Sequence, residues 1–263
     1  MSLQFTSDAR PPSNVTLLPT GFIRPAFGEL YGFDADADTP SAPSFSVTHS
    51  VDFDATDDFM TVAADSAINF SGDMTVSAWI KADVWGAAGI AGVGSSYPGM
   101  FHLGTLSSGK FIFYGSSGLR KSDSAFSAGN WYNVTVSIQS GVTNGTKMYI
   151  NGSLDATGTT TITSRTDPLI IGKISYGNSQ RFNGLIDEVA LFNSALSADD
   201  ISNIYNSGVP TDLGSGGLNL SPVGWWRMGE NDGATGTTIT DQGSGGNDGT
   251  LVNGPTFSTT VPS

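Results

Sequence analysis

The chain of 263 residues contains no cysteine and two histidines, and each shortage excludes a class of chemistry. Without cysteine there are no disulfide bridges, thiolate metal sites or cysteine nucleophiles. Two histidines cannot form a three-histidine zinc centre. No apolar run approaches the roughly 18 residues of a membrane-spanning helix, so we expect no membrane insertion. The first residues lack the basic-then-apolar order of a secretory signal, which leads us to expect synthesis in the cytosol.

Basic residues are also scarce, since 11 Lys and Arg stand against 24 Asp and Glu, a formal net charge of −13. Such a surface repels phosphates, so we expect no nucleic-acid partner. Only 3 of the acidic residues are Glu; the other 21 are Asp, which favours turns, helix caps and hard-cation sites. The 34 glycines indicate a fold with many tight turns.

The chain does have a repeated alternation of apolar and polar residues, typical of half-buried β-strands. Turn signals such as Asn144-Gly145 separate these stretches. Because alternation implies one buried and one wetter face, we predict an all-β protein with two antiparallel sheets packed together. The clearest predicted strands are residues 74–81, 110–114, 131–139, 147–151, 169–173 and 184–192.

One stretch, residues 197–206, has the features of a short helix. Ser197 followed by Asp200 resembles a capping box with Asp in place of Glu, and Gly208 is a suitable C-terminal stop. Three apolar residues lie on one face of this helix: Ile201, Ile204 and Tyr205. We expect the helix to cover an opening of the sandwich.

The two ends of the chain differ from the middle. Residues 1–45 are rich in proline, which removes ladder donors and predicts an extended arm. An arm of this kind either stays disordered or lies along a partner, and we favour the second. Its candidate anchors are Leu17, Leu18, Phe22, Ile23 and Phe27. A sandwich over residues 46–210 follows, and residues 211–263 comprise a Gly/Ser linker and C-terminal strands that complete the same sandwich.

Enzymatic activity finds little support in the sequence. There is no G-x-S-x-G motif, and neither histidine lies in a recognisable triad context. A glycosidase needs two closely held carboxylates, and the nearest approach is the alternate pair Asp52 and Asp54. We therefore predict that the chain is not an enzyme, with a glucanase-like activity as the last of the alternatives.

Several aromatic residues are candidates for ligand contact, because exposed rings stack on sugars or anchor protein interfaces. We select Trp85 and Tyr97 as candidate glycan or partner contacts. The neighbours Trp225 and Trp226 must face opposite sides of one strand. One of them is therefore expected in the core, and the other exposed or covered by a partner.

Five sequence blocks occur in an order that resembles the laminin-G-like jelly rolls of the concanavalin A-like lectin/glucanase superfamily. The resemblance implies two curved antiparallel sheets, in agreement with the strand pattern. Members of the family bind glycans, proteins or no known ligand, so the resemblance indicates the fold better than the function. The blocks are SVDFDATDDFMTVA (50–63), MTVSAWIKA (74–82), GNWYNVTVSI (129–138), KMYINGSL (147–154) and GLIDEVALFNSALSADDISNIYNSG (184–208).

One block departs from the family order. The element GWWRMGENDG…TDQGSGGNDGTLVNG (224–254) resembles the strand and loop that usually begin the family's domain, but here it follows the helix. The resemblance implies a circular permutation, with the linker carrying the chain to a neighbouring strand position. The alternative is that residues 222–263 insert into an adjacent subunit by domain swapping.

The resemblance also implies a structural calcium ion where this loop meets the I-D-E-V strand. The candidate ligands are Asp187, Asp241 and Asn247, with Asp248 a weaker candidate. Backbone carbonyls of the glycine-rich loop would complete the six to eight oxygens that calcium takes. The alternative is a loop that hydrogen-bonds to itself without metal.

Permuted chains of this type resemble proteins of bacteriophages, and we expect a virion structural protein, either capsid-decorating or head-fibre. It would be present in many copies or as a homo-oligomer on the virion surface, after assembly in the host cytoplasm. Its partners would be other virion proteins, such as the major capsid protein or fibre subunits, docked through the arm. The alternatives are a tail-fibre adhesin and a free calcium-dependent carbohydrate-binding module, either of which would bind host-surface glycans.

Overall fold

The computed structural model describes residues 45–96, 99–176 and 180–263, together with two short strands nearer the N-terminus. The chain divides into two units, Met1–Ser44 and Phe45–Ser263. Within the described residues, no helix has the length and apolar character needed to cross a membrane.

Strands account for most of the regular secondary structure of the second unit. The described strands are, in chain order, β1 (Val15–Leu17), β2 (Ile23–Pro25), β3 (Ser50–Asp54), β4 (Phe59–Val62), β5 (Met74–Ala82), β6 (Ala88–Val93), β7 (Phe101–Thr105), β8 (Phe111–Gly115), β9 (Leu119–Lys121), β10 (Tyr132–Ile138), β11 (Thr146–Ile150), β12 (Ser153–Gly158), β13 (Leu169–Ile171), β14 (Asn183–Phe192), β15 (Gly224–Trp226), β16 (Thr238–Ile239), β17 (Gly249–Val252) and β18 (Thr256–Ser258). The helix α1 spans Ala198–Tyr205 and is followed by a 3₁₀ turn over Asn206–Gly208.

The strands of the second unit form two antiparallel sheets. Sheet I has the order β12-β11-β10-β5-β14-β3-β18, with β15 also pairing with β14. Sheet II has the order β16-β17-β4-β13-β6-β7-β8-β9. The prediction of an all-β, two-sheet sandwich with one short helix is confirmed for the described residues.

A single apolar core fills the space between the sheets. Alternate residues of most of the strands supply it, as the period-2 pattern predicts. Its largest fully buried side chains include Trp226, Phe53, Phe101 and Phe113.

A second apolar cluster covers the outer face of sheet I. It contains Phe192, Ile204 and Leu213 together with Trp225, whose ring stacks on Phe45 at 6.2 Å. The adjacent tryptophans therefore do face opposite sides of β15, and the outward one is covered by the chain's own residues.

The helix forms as its sequence predicts, but its placement and end differ. Ser197 is the N-cap, and Asp200 completes the capping box. The helix lies over sheet I, where Tyr205 stacks on Trp79 at 5.8 Å, instead of closing an opening between the sheets. It ends because Asn206 adopts the left-handed conformation with φ of 44°, two residues before the predicted stop.

The C-terminal strands enter both sheets of their own chain. β15 pairs with β14 and β18 pairs with β3 in sheet I, while β17 pairs with β4 in sheet II. The last strands thus lie beside the first strands of the sandwich.

In the first unit, β1 and β2 pair antiparallel, and Leu17 is opposite Ile23. Part of the predicted extended arm is therefore a two-stranded ladder. Pro25 ends β2, a position where the missing N–H is tolerated. The other proposed anchors, Leu18, Phe22 and Phe27, lie outside the described residues.

Candidate functional site

Three carboxylates converge near the middle of β14. One carboxylate oxygen from each of Asp187, Glu188 and Glu230 lies within 4.8 Å of the other two. The register between β14 and β5 shifts after Asp187, and Glu188 has a positive φ of 47°. Consecutive strand residues normally face opposite sides. This bulge is what brings two neighbouring acids to one place.

Most oxygens of this cluster have partners, but two do not. Glu188 accepts hydrogen bonds from the Trp225 indole N–H at 2.6 Å and from Arg227 Nε at 3.0 Å. Glu230 Oε1 accepts the backbone N–H groups of residues 48 and 49, each at 2.8 Å. Asp187 Oδ2 and Glu230 Oε2 are buried and have no hydrogen-bond partner within the described residues.

The environment of Asp187 and Glu188 favours their neutral forms. Burial raises the pKa of Asp187 well above its usual range, and the neighbouring Glu188 carboxylate adds to this effect. Burial also raises the pKa of Glu188 to about 7, although the Arg227 guanidinium opposes the shift. Within the described part of the chain, Asp187 and Glu230 thus each keep one buried oxygen without a partner, and leaving such an oxygen unsatisfied is costly.

The glycine-rich loop after β16 is closed by Asp241. Its carboxylate accepts the backbone N–H groups of Trp225 and Gly243, each at 2.7 Å, and of Asn247 at 2.8 Å. Asp248 in turn accepts the Asp241 N–H at 2.9 Å. The structure thus brings Asp241, Asn247 and Asp248 together as a loop that hydrogen-bonds to itself.

A hard cation fits the carboxylate cluster better than it fits this loop. Cations such as calcium take carboxylate oxygens, and within the described residues Asp187 Oδ2 and Glu230 Oε2 are the buried carboxylate oxygens left without a donor. Of the three candidates that the resemblance implies, only Asp187 belongs to the cluster. Glu230 replaces Asp241 and Asn247 in the donor set that we favour.

An open polar cleft lies at one end of three adjacent strands of sheet II. Its walls are the segment after β4, the loop between β6 and β7, and the segment before β13, and its volume is about 610 Å³. Carboxylate, hydroxyl, amide and guanidinium groups line it, including Asp65, Ser96, Arg165 and Asp167. The Asn69 amide helps to shape the floor by donating to the Asp167 carbonyl at 3.1 Å.

Two aromatic residues were predicted to contact a ligand. Trp85 is not among the residues that line the polar cleft, and Tyr97 is outside the described residues. Trp85 is half-buried and packs edge-on against Phe111, with ring centroids 5.5 Å apart. Its indole N–H is buried and has no partner within the described residues. Tyr97 lies outside the described residues, although its neighbours Ser95 and Ser96 line the polar cleft.

The alternate acids on β3, Asp52 and Asp54, lie in different environments. Burial raises the pKa of Asp52, helped by the charges of Asp83 and Asp54. Asp54 is exposed and accepts the Thr56 N–H at 2.7 Å, an ordinary turn contact.

Sequence reasoning missed Glu188, Glu230 and Arg227. A signal was available, since Glu188 and Glu230 are two of only three glutamates in the chain. The polar cleft left no comparable signal, because its lining comes from three separate loops.

A family model described as the concanavalin A-like lectin/glucanases superfamily, Laminin_G_3, matches residues 54–202, more than half of the chain. The chain belongs to this family. The match includes β14 and most of α1 of this laminin-G-like domain, and ends before the strands β15–β18. No curated protein matches the chain at a significant level.

One solved structure agrees with this assignment at the level of fold. A Bacteroides ovatus protein classed as carbohydrate-binding superposes with a TM-score of 0.64 and 20% identity, covering 83% of this chain and 62% of that one. The laminin-G-like chain therefore spans less than two thirds of the length of that protein. A heptameric pentraxin from Limulus polyphemus gives a TM-score of 0.42 at 18% identity, covering 58% of this chain and 83% of that one. Domain 4 of the Geobacillus stearothermophilus arabinanase AbnA gives 0.43 at 19%, covering 53% and 69%.

Proposed function

We propose that the chain is a carbohydrate-binding module without enzymatic activity, and that its polar cleft holds the glycan. The observation that carries the proposal is the composition of the cleft, in which several hydroxyl groups stand beside Asp65, Asp167 and Arg165. Such groups recognise a ligand through many hydrogen bonds. The cleft volume lies within the range of about 300–1,000 Å³ that ligand sites occupy. The carbohydrate-binding description of the B. ovatus protein supports the same function by analogy of fold.

The decisive experiment measures glycan binding by the full chain. Binding is first sought on a glycan array and then quantified by isothermal titration calorimetry for the best oligosaccharide. We expect Asp167→Ala to weaken binding about tenfold or more, the order for removing one charged hydrogen-bond partner. Asp199→Ala, the same change on the exposed first turn of α1, is the matched control and should bind normally. Absence of binding to every glycan, or equal loss in the control, would refute the proposal.

A structural calcium ion is part of this proposal. Asp187 and Glu230 would hold it, with Glu188 kept in place by Trp225 and Arg227. A cation there would neutralise the two orphaned oxygens and fasten β14 to the segment that carries Glu230. It would act as a support for the sandwich, without a role in chemistry.

The setting that we propose is the surface of a bacteriophage virion. We favour a capsid-decorating or head-fibre role over the role of a tail-fibre adhesin. The protein would be present in many copies or as a homo-oligomer. The acidic, cysteine-free composition and the proline-rich residues 1–45 support this setting. We expect residues 1–45 to dock onto partners among the other virion proteins. A mass-spectrometric inventory of purified virions tests this placement. Residues 1–45 should be cleaved by protease in the isolated protein and protected in particles.

We also propose that the domain is a circular permutation of its family's usual order. The support is the pairing of β15, β17 and β18 with β14, β4 and β3 of the same chain. Deleting residues 212–263 should then unfold the protein. A folded, dissociated protomer after this deletion would favour domain swapping instead.

A further inference from the structure

The chain contains four Asn-Gly pairs, and each is a candidate for spontaneous deamidation. In that reaction the glycine backbone nitrogen attacks the side-chain carbonyl carbon of asparagine and forms a C–N bond, while the side-chain amide leaves with the proton of the glycine N–H as ammonia. Water then opens the cyclic imide to aspartate or isoaspartate. Glycine favours the attack because it has no Cβ to hinder it. The four asparagines are Asn144, Asn151, Asn183 and Asn253.

Two of these pairs are restrained by hydrogen bonds. The Gly145 N–H, whose nitrogen would attack Asn144, donates to the Val142 carbonyl at 2.9 Å. The Asn151 side chain is fixed through its Oδ1, which accepts the Asn133 N–H at 2.9 Å. In either pair a hydrogen bond must break before the nitrogen and the carbonyl carbon can meet, and this cost slows the reaction.

A third pair, Asn183-Gly184, is restrained by sheet I. It lies at the start of β14, where Gly184 pairs with β3 on one side and with β5 on the other. Gly184 is also buried and crowded, since a Cβ there would stand 2.2 Å from the Lys81 carbonyl oxygen. Deamidation at this pair would require the strand to leave the sheet.

The fourth pair, Asn253-Gly254, is open. It lies in the link between β17 and β18, and both of its residues are exposed. Among the described residues, the Gly254 N–H has no hydrogen-bond partner. A Cβ at Gly254 would meet no atom within 4 Å, so nothing crowds the attacking nitrogen. The fold therefore protects three of the Asn-Gly pairs and leaves this one reactive.

The Asn253 side chain has a structural role that deamidation would remove. Its Nδ2 donates to the Asp57 carbonyl at 2.9 Å, and the Arg181 guanidinium donates to the same oxygen at 2.7 Å. This loop between β3 and β4 is acidic, because carboxylate oxygens of Asp54, Asp57 and Asp58 lie within 4.8 Å of one another. Deamidation replaces the amide donor with a carboxylate, which the carbonyl oxygen and the acidic loop repel.

Isoaspartate would also lengthen the link between the two sheets. Only residues 253–255 connect β17 of sheet II to β18 of sheet I. The isoaspartyl linkage runs through the side chain and adds one methylene to the main chain. Because β17 is paired with β4 and β18 with β3, the extra atom has to be absorbed by the link or by the ends of these strands.

We propose that Asn253 is a deamidation site of the folded protein, and that its conversion loosens the link between β17 and β18. The reaction uses the chain's own backbone and water, so it needs no enzyme and no cofactor. Each conversion takes the formal net charge from −13 to −14. The protein would thus acquire, as it ages, an additional negative charge and a more easily opened C-terminal strand. This inference does not depend on glycan binding.

The first test incubates the full chain, folded and in urea, in a mildly alkaline buffer, and follows each asparagine by peptide mapping with mass spectrometry. In the folded protein Asn253 should react roughly three- to tenfold faster than Asn144, the order for opening one hydrogen bond. In urea this advantage should disappear, because the restraints of the fold are gone. Equal rates at Asn253 and Asn144 in the folded protein, earlier modification of another Asn-Gly pair, or modification in urea alone would refute the site.

The second test measures the consequence with variants of the full chain. Asn253→Asp carries the normally linked product, and Asn144→Asp is the matched control, because both asparagines are exposed and have positive φ, 68° and 56°. Amide hydrogen exchange over Thr256–Ser258 should become roughly three- to tenfold faster in Asn253→Asp and stay unchanged in the control. Asn253→Gln, which keeps an amide donor but closes a ring poorly, should remain unmodified at this position in the first test. Unchanged exchange in Asn253→Asp, or equal acceleration in Asn144→Asp, would refute the loosening.

Discussion

His102 should make the sandwich less stable in mild acid. Its side chain is 5% exposed on sheet II, and burial lowers its pKa from 6.5 to about 4 in the folded protein. Between these values the unfolded chain binds a proton that the folded protein does not bind. Stability must therefore fall as the pH drops through this window. Each pKa unit is worth about 1.36 kcal/mol, so the loss between pH 7.5 and 4.5 amounts to about 2.5 kcal/mol.

The assay compares urea unfolding of the wild type with that of His102→Gln, whose side chain does not titrate, at pH 7.5, 6.5, 5.5 and 4.5. The carboxylates titrate in both proteins, so the difference between the two stability curves isolates the histidine. Above pH 7 the curves should run parallel. Below pH 6.5 the wild type should lose about 2.5 kcal/mol more than the variant. A constant difference from pH 7.5 to 4.5 would refute a buried, proton-free imidazole.

Three further predictions concern the carboxylate cluster and its loop. At pH 8, where Glu188 is largely ionised, Arg227→Met should lower the free energy of unfolding by about 3–5 kcal/mol, because it leaves the buried Glu188 carboxylate without its counter-charge; adding Glu188→Gln should recover more than half. Calcium at a hundredfold excess over its dissociation constant should stabilise the wild type by about 2.7 kcal/mol. The same calcium concentration should hardly stabilise the Asp187→Asn variant. Equal stabilisation of both proteins, measured by calorimetry, would contradict the site. Asp241→Ala should lower the free energy of unfolding by about 3 kcal/mol, since three backbone N–H groups lose their acceptor. If this variant were no longer stabilised by calcium, the donor set of Asp187 and Glu230 would be wrong.

Features encoded locally could be predicted from the sequence. The capping box of Ser197 and Asp200 acts within one turn of helix, and the structure contains it. Alternation along residues 74–81 and 184–192 predicted β5 and β14 almost to the residue. The opposite orientation of Trp225 and Trp226 followed from strand geometry alone.

Features that depend on distant pairing could not be predicted. The convergence of Asp187 and Glu188 requires a left-handed residue and a register shift within β14, and a strand pattern predicts neither. The predicted placement of the helix was wrong for the same reason. The apolar stripe of α1 indicates that the helix packs against the sandwich, but it does not indicate against which face.

The pairing of the last strands with the first has a consequence during synthesis. β4 ends at residue 62 and its partner β17 begins at residue 249, so 186 residues lie between them. At the usual pace of translation the ribosome needs about 10–40 s to cover that distance. For this interval β3 and β4 each expose an unsatisfied edge to other nascent chains. High expression rates should therefore favour inclusion bodies, and cooler, slower induction should favour the native protein.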